Sequence, residues 1–307
     1  MTTGAAEAAA APDVVVIDGG VSAEAAVRAA LAASIRRLAR AEPVAAAGQD
    51  PEGVRRMRVA TRRLRSDLRS FAGVLDPAWA ESLRRELRWL ARALGSVREV
   101  DVLRARVDRR LEPLSSVEVS SAEPFRSALE HEAEAAADVL RVTLGSARYV
   151  ALRGRLEQAA SDPRPGPVAD APASPTLAPL VHRRLRALRR EVRAAGADPG
   201  DATLHAIRIR AKRVRYAAEV LVPIGGPDVA RFAVAAKRVQ AVLGAHQDAV
   251  AAAAWLRSWA DGQIGHDEAV RLARNLAAAE REEGRAAGGR WRPAWRSLND
   301  PALRSWM

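Results

Sequence analysis

The residues of this chain best suited to chemistry are arginines set at helical spacing. Arg55, Arg58, Arg62, Arg65 and Arg69 step by three, four, three and four, the rhythm of one face of an α-helix. One position earlier, Val54, Met57, Thr61, Leu64, Leu68 and Phe71 keep the same rhythm and predict a buried seam. The charged stripe is thus rotated about 100° from the seam. It borders the crevice where the helix meets its neighbour instead of lying opposite it. Two later segments share this phase. His205, Arg208, Lys212, Arg215 and Glu219 flank the seam Leu204, Ile207, Ala211, Val214, Ala218 and Leu221, and His182, Arg186, Arg189 and Arg193 flank Val181, Leu185, Leu188 and Val192. Each stripe covers about 15 to 21 Å of helix axis, enough to track several units of an extended polyanion.

Guanidinium groups stay protonated and their planar fork of donors matches phosphate oxygens. Like charges at i, i+4 repel, so five arginines on one stripe with no acid among them call for a partner that neutralises them. The charge distribution agrees. Of 49 basic residues 47 are arginine, and against 37 acids they leave a net +12 over 307 residues. Residues 52 to 71 carry +5, residues 181 to 193 carry +5 and residues 201 to 219 carry +3, so the rest of the chain is close to neutral. A polyanionic partner is the expectation.

The positioning elements follow from composition. Apolar residues make up 49 % and aromatics only 4 %, and apolar positions recur at three-and-four spacing almost throughout. An all-α fold is predicted, with helices over about 22–41, 51–75, 77–94, 96–111, 122–143, 146–160, 177–195, 201–222, 227–243, 245–260 and 266–287. Residues 1–20, with one strand-like run at Val14 to Ile17, read as a leader. Ser161 to Pro175 holds five prolines among small and polar residues, a composition that does not order itself by burial; it reads as a linker, at 161–176, between halves at 21–160 and 177–307. Residues 54–65 align with 204–215 at an offset of 150, and Leu94-Gly95 and Leu243-Gly244 each follow a basic residue, Arg88 and Lys237, by six positions. A duplication is the simplest reading.

These same segments, Arg55-Arg-Met-Arg-Val-Ala-Thr-Arg-Arg-Leu-Arg65 and His205-Ala-Ile-Arg-Ile-Arg-Ala-Lys-Arg-Val-Arg-Tyr216, resemble the signature of the CHAD domain, the conserved histidine α-helical domain. Leu94-Gly-Ser-Val-Arg-Glu-Val-Asp-Val102 and Leu243-Gly-Ala-His-Gln-Asp248 are similar to its later motif. The resemblance implies two similar helical bundles related by a pseudo-twofold, a basic groove or pore, and non-catalytic binding of inorganic polyphosphate. Association with polyphosphate granules would follow from such binding; the cytoplasmic location expected here rests instead on Met1 to Pro12, which has no basic residue and no long apolar run and so does not read as a secretory signal. Carried over residue by residue, it marks Arg55, Arg58, Arg62, Arg63, Arg65 and Arg88 in one half and His205, Arg208, Lys212, Arg213, Arg215 and Lys237 in the other. The name-giving histidine of the first half is Arg55 here, which removes a titratable, metal-capable ring.

Other classes find less support. Cysteine is absent, which excludes disulfides, Cys-ligated zinc and a thiol nucleophile. No Walker loop, G-x-G-x-x-G or H-E-x-x-H occurs, so neither an enzyme of polyphosphate or nucleotide metabolism nor a cofactor is expected, although an accessory role beside such an enzyme is a rival reading. Glu130, His131 and Glu134 read as a solvated face and not a metal site. Glu99, Asp101 and Asp248 read as partners that orient arginines. Single-strand nucleic-acid binders stack bases on aromatics, yet only Tyr216 interrupts the stripes, which leaves duplex DNA as a secondary, non-specific polyanion. No apolar run approaches a membrane span.

Overall fold

Asp50 accepts from the Glu52 backbone N–H and Pro51 occupies the first turn, so the charged stripe begins at a well-defined helix start, α2 (Pro51–Ser70). It follows α1 (Ala23–Ala47), which Ser22 caps through the Ala25 N–H at 3.2 Å. The two helices touch closely at Gly53, where a Cβ would sit 2.6 Å from the Ala45 nitrogen. In the computed structural model, residues 21–48 and 50–307 are described; the leader at 1–20 and its strand-like run lie outside them.

The chain continues through α3 (Pro77–Leu111), α4 (Ser116–Ser121), α5 (Glu123–Leu144), α6 (Ala147–Ser161), α7 (Ala173–Ala194), α8 (Asp201–Asp261), α9 (Asp267–Gly289), α10 (Trp291–Leu298) and a 3-10 turn at Pro301–Arg304. The fold is all-α: the described residues contain no strand, only two isolated bridges. No helix among them is long and apolar enough to cross a membrane.

Two helix boundaries expected from glycines are missing. Helix α3 runs unbroken through Gly95, and α8 runs unbroken through Gly244. A helix-interior glycine costs only about 1 kcal/mol, which burial of Leu87, Leu90, Leu94 and Leu103 along one face outweighs. The predicted break between residues 222 and 227 does occur. Gly226 takes φ 66° there and divides α8 into two arms.

The proline-rich segment is not the loose connection that its composition suggests. Residues 162–172 run as an ordered strap between α6 and α7. The Asp76 and Gly166 backbone N–H groups donate to Arg164 O at 3.0 Å and Val74 O at 2.8 Å, tying the strap to the α2–α3 turn. Ala23 N donates to Ala171 O at 2.7 Å, which ties it to the start of α1. Its polar backbone is satisfied by other loops, so it needs little apolar burial of its own.

The seams read from the sequence are buried: Val54, Met57, Leu64 and Leu68 on α2, Val181, Leu185 and Leu188 on α7, and Leu204, Ile207, Val214 and Leu221 on α8. They belong to one large core that takes in α1, α2, α6, α7, the first half of α3 and α8 as far as Leu243. A smaller core joins the far end of α3 and the start of α5 to the second arm of α8 and to α9. The two cores therefore mix elements from both sequence halves. The second is braced by a buried ionic network in which Glu280, 1 % exposed, accepts from Arg106 Nε at 2.6 Å and Arg110 Nε at 2.8 Å, with Glu283 beside them.

Candidate functional site

Where α2 passes α8, their stripes meet. Arg58, Arg62, Arg65 and Arg69 from α2 and Arg208, Lys212 and Arg213 from α8 line one groove of about 380 Å³, with Arg84 of α3, Ser66 and Tyr216 completing it. None of those seven cations forms an ion pair with a described carboxylate, although the chain carries 37 acids. Glu99 and Asp248 act on Arg58 and Arg208 only through the longer-range field.

The crowding of cations disfavours their charged forms. Desolvation, and then repulsion from Arg62, Arg208, Arg58 and Arg65, brings the Lys212 ammonium down from 10.5 to about 7. Arg58 and Arg65 are lowered for the same two reasons, desolvation first and neighbouring arginines second. Burial also lowers Arg208 and Arg213. The groove is built to hold positive charge, and its own residues do not neutralise that charge.

Tyr216 positions one wall. Its hydroxyl accepts from Arg62 Nε at 2.8 Å, and the Arg62 and Arg215 guanidiniums lie 5.8 Å and 5.1 Å from its ring centroid. At 1 % exposure the ring offers no face to a stacking base.

The remaining sequence candidates sit elsewhere. Arg63 and Arg215 both grip Glu219, at 2.8 Å and 2.6 Å, and so fasten α2 to α8 behind the groove. Beneath them Asp67 is fully buried, and desolvation pushes its carboxyl up to about 7, with Arg63 opposing and Glu219 reinforcing the shift. Arg55 is bound by Glu52, whose carboxyl it draws down to about 2. Arg88 pairs with Glu81 at 2.9 Å, near enough to Arg65 to repel it. His205 Nδ1 lies 2.8 Å from Gln247 Oε1. On α7, Arg186 lines a separate concavity, Arg189 donates to Asn299 Oδ1 at 2.7 Å, and Arg193 is exposed near it. Lys237 is exposed on the second arm of α8 and does not line the groove. Among the described residues no group of three or more His, Asp or Glu is placed to hold a metal ion.

Sequence reasoning missed Arg84 and the positioning role of Tyr216. Arg84, Arg88 and Arg92 recur every four residues on α3, and that spacing was the available signal.

The arrangement has relatives. The family model described as "CHAD domain" matches residues 29–257. The chain belongs to the CHAD domain family. This CHAD chain is 32 % identical over 208 residues to two Mycobacterium tuberculosis proteins, "Uncharacterized protein MT2285" of strain CDC 1551 / Oshkosh and "Uncharacterized protein Rv2226" of strain ATCC 25618 / H37Rv. Those matches cover 65 % of this chain, which spans 39 % of the relatives' length. Among solved structures it resembles the CHAD domain from the plant Ricinus communis, with TM-score 0.75 and 26 % identity over 94 % of this chain and 95 % of that one. It also resembles PptA from Streptomyces chartreusis, with TM-score 0.73 and 23 % identity over 90 % and 100 % of the two chains. The PptA likeness is one of fold.

Proposed function

We propose that this CHAD domain binds inorganic polyphosphate in the α2–α8 groove and does not transform it. One observation carries the reading: seven cations drawn from both sequence halves line one concavity without a carboxylate partner among the described residues. A polymer of phosphates supplies the missing counter-charge along a line, and guanidinium forks can grip its non-bridging oxygens two at a time. Membership in a family linked to polyphosphate supports the same ligand. Holding the polymer uncleaved suits association with polyphosphate granules. The rival is nucleic acid; the buried Tyr216 ring weighs against a single strand, which would need a face to stack on, and leaves duplex DNA as the competitor to test.

Calorimetric titration with long-chain polyphosphate and with duplex DNA over a salt series separates the two. With about 0.7 counterions released per neutralised charge on a single-stranded polyanion, seven contacts give a log–log salt slope on the order of −5 for polyphosphate. Tighter binding of DNA at equal salt would overturn the proposal.

The same site predicts a pH dependence. With the groove empty, Lys212 is neutral above about pH 7, so binding at higher pH must draw a proton from solvent. Affinity should fall as pH rises from 6 to 9, by up to about tenfold per unit. Asp67 titrates in the same range, so the informative quantity is the difference between the native protein and Lys212→Arg, whose charge does not titrate. Parallel pH profiles for the two would contradict this role.

A further inference from the structure

The groove does not end in open surface. At the edge formed by Arg69 and Arg213, the Arg184 guanidinium of α7 donates to the Arg69 carbonyl at 3.4 Å and is itself repelled by Arg213 and Arg69. Arg184 also borders a second concavity of about 600 Å³, whose other cations are Arg183, Arg186 and Arg190. These three lie at i, i+3 and i+7 on one exposed face of α7 and extend the positive track by about 10 Å. None has an ion-pair partner among the described residues, and Glu191, the one acid in α7, is engaged by Arg210. Arg189, on a different face, is turned to Asn299 and takes no part.

Resting on the polyphosphate reading, we propose that this face of α7 is an outer subsite that takes the part of the polymer overhanging the groove, so that the chain selects long polyphosphates over short ones. A ligand that fills only the groove touches α2 and α8. A longer one passes Arg184 and gains Arg183, Arg186 and Arg190. Three unneutralised arginines on one helical face repel one another, and the overhanging polymer relieves that repulsion as it does in the groove.

The test is affinity against chain length, from inorganic tripolyphosphate to long-chain polyphosphate, for the native chain and for Arg183→Gln/Arg186→Gln/Arg190→Gln. The substituted side chains are exposed, so helicity by circular dichroism should be unchanged. Affinity of the native chain should keep rising beyond the length that fills the groove. The variant should match it for the shortest ligands and then level off, losing on the order of tenfold for long polymers, with a salt slope shallower by about 2. Curves that stay parallel or coincide at every length would overturn the α7 subsite. Arg58→Glu/Arg65→Glu, run beside it, should lose all lengths alike. If that variant binds normally, the groove assignment itself fails, which is a separate result.

Discussion

Replacing Arg58 and Arg65 together by glutamate is expected to abolish polyphosphate binding while leaving the protein at least as stable as before. Both side chains line the groove without a carboxylate partner, and both are disfavoured as cations first by desolvation and then by neighbouring arginines. A hydrogen bond to a charged group contributes about 1.5–3 kcal/mol. Losing one from each residue weakens binding by roughly two to four orders of magnitude, and the reversed charges add repulsion. Stability should move the other way, because each substitution removes a like charge from a crowded groove. Calorimetry for affinity and a thermal melt for stability check both halves of the expectation. Affinity within a few-fold of native would remove these residues from the site. A collapse of the fold would mean that the stripe is structural.

The opposite pattern is expected at Glu280. This carboxylate is buried between α3 and α9 and accepts from both Arg106 and Arg110, while Glu283 shares the same two arginines. Glu280→Ala leaves Arg106, itself 7 % exposed, with much of its counter-charge gone. Removing one partner of a buried pair costs about 3–5 kcal/mol, which in a domain of this size lowers the melting temperature by on the order of 10 °C. None of these residues lines the groove, so polyphosphate affinity measured well below the melt should be unchanged. An unaltered melting temperature would show that the apolar packing of the smaller core holds α3 to α9 without the ionic network. Together the two variants separate charge kept for binding from charge kept for folding.

The sequence made the first kind of charge legible because seam and stripe are local patterns. Met57, Thr61, Leu64 and Leu68 are buried as their spacing implies, and the residues one step on, Arg58, Arg62, Arg65 and Arg69, line the groove. The same logic holds for Ile207 and Ala211 beside Arg208 and Lys212. Arg63 and Arg215 shared those stretches of sequence yet face Glu219. For Arg215 the partner is four residues along its own helix and could be read. Arg63 has one partner four residues along its own helix, Asp67 at 4.0 Å, and a nearer one, Glu219 at 2.8 Å, that lies in the other half of the chain and that only tertiary packing brings near. Arg55 illustrates a third limit, since Glu52 in the first turn of α2 claims it before any ligand could. Gly95 does not break α3 as a glycine suggests, because a local helix penalty of about 1 kcal/mol is small against a continuous buried face. The strap at 162–172 escaped because its order comes from backbone hydrogen bonds to distant loops, which composition does not record.

The groove assignment is tested most directly by arginine-selective chemical modification read residue by residue in a mass spectrometer, with and without saturating long-chain polyphosphate. Arg58, Arg62, Arg65, Arg208 and Arg213 in the groove should be protected, with Arg271 and Arg281 on the exposed face of α9 reacting equally in both conditions. Groove arginines that react as fast with polyphosphate as without it, or protection spread evenly over the whole surface, would contradict the assignment.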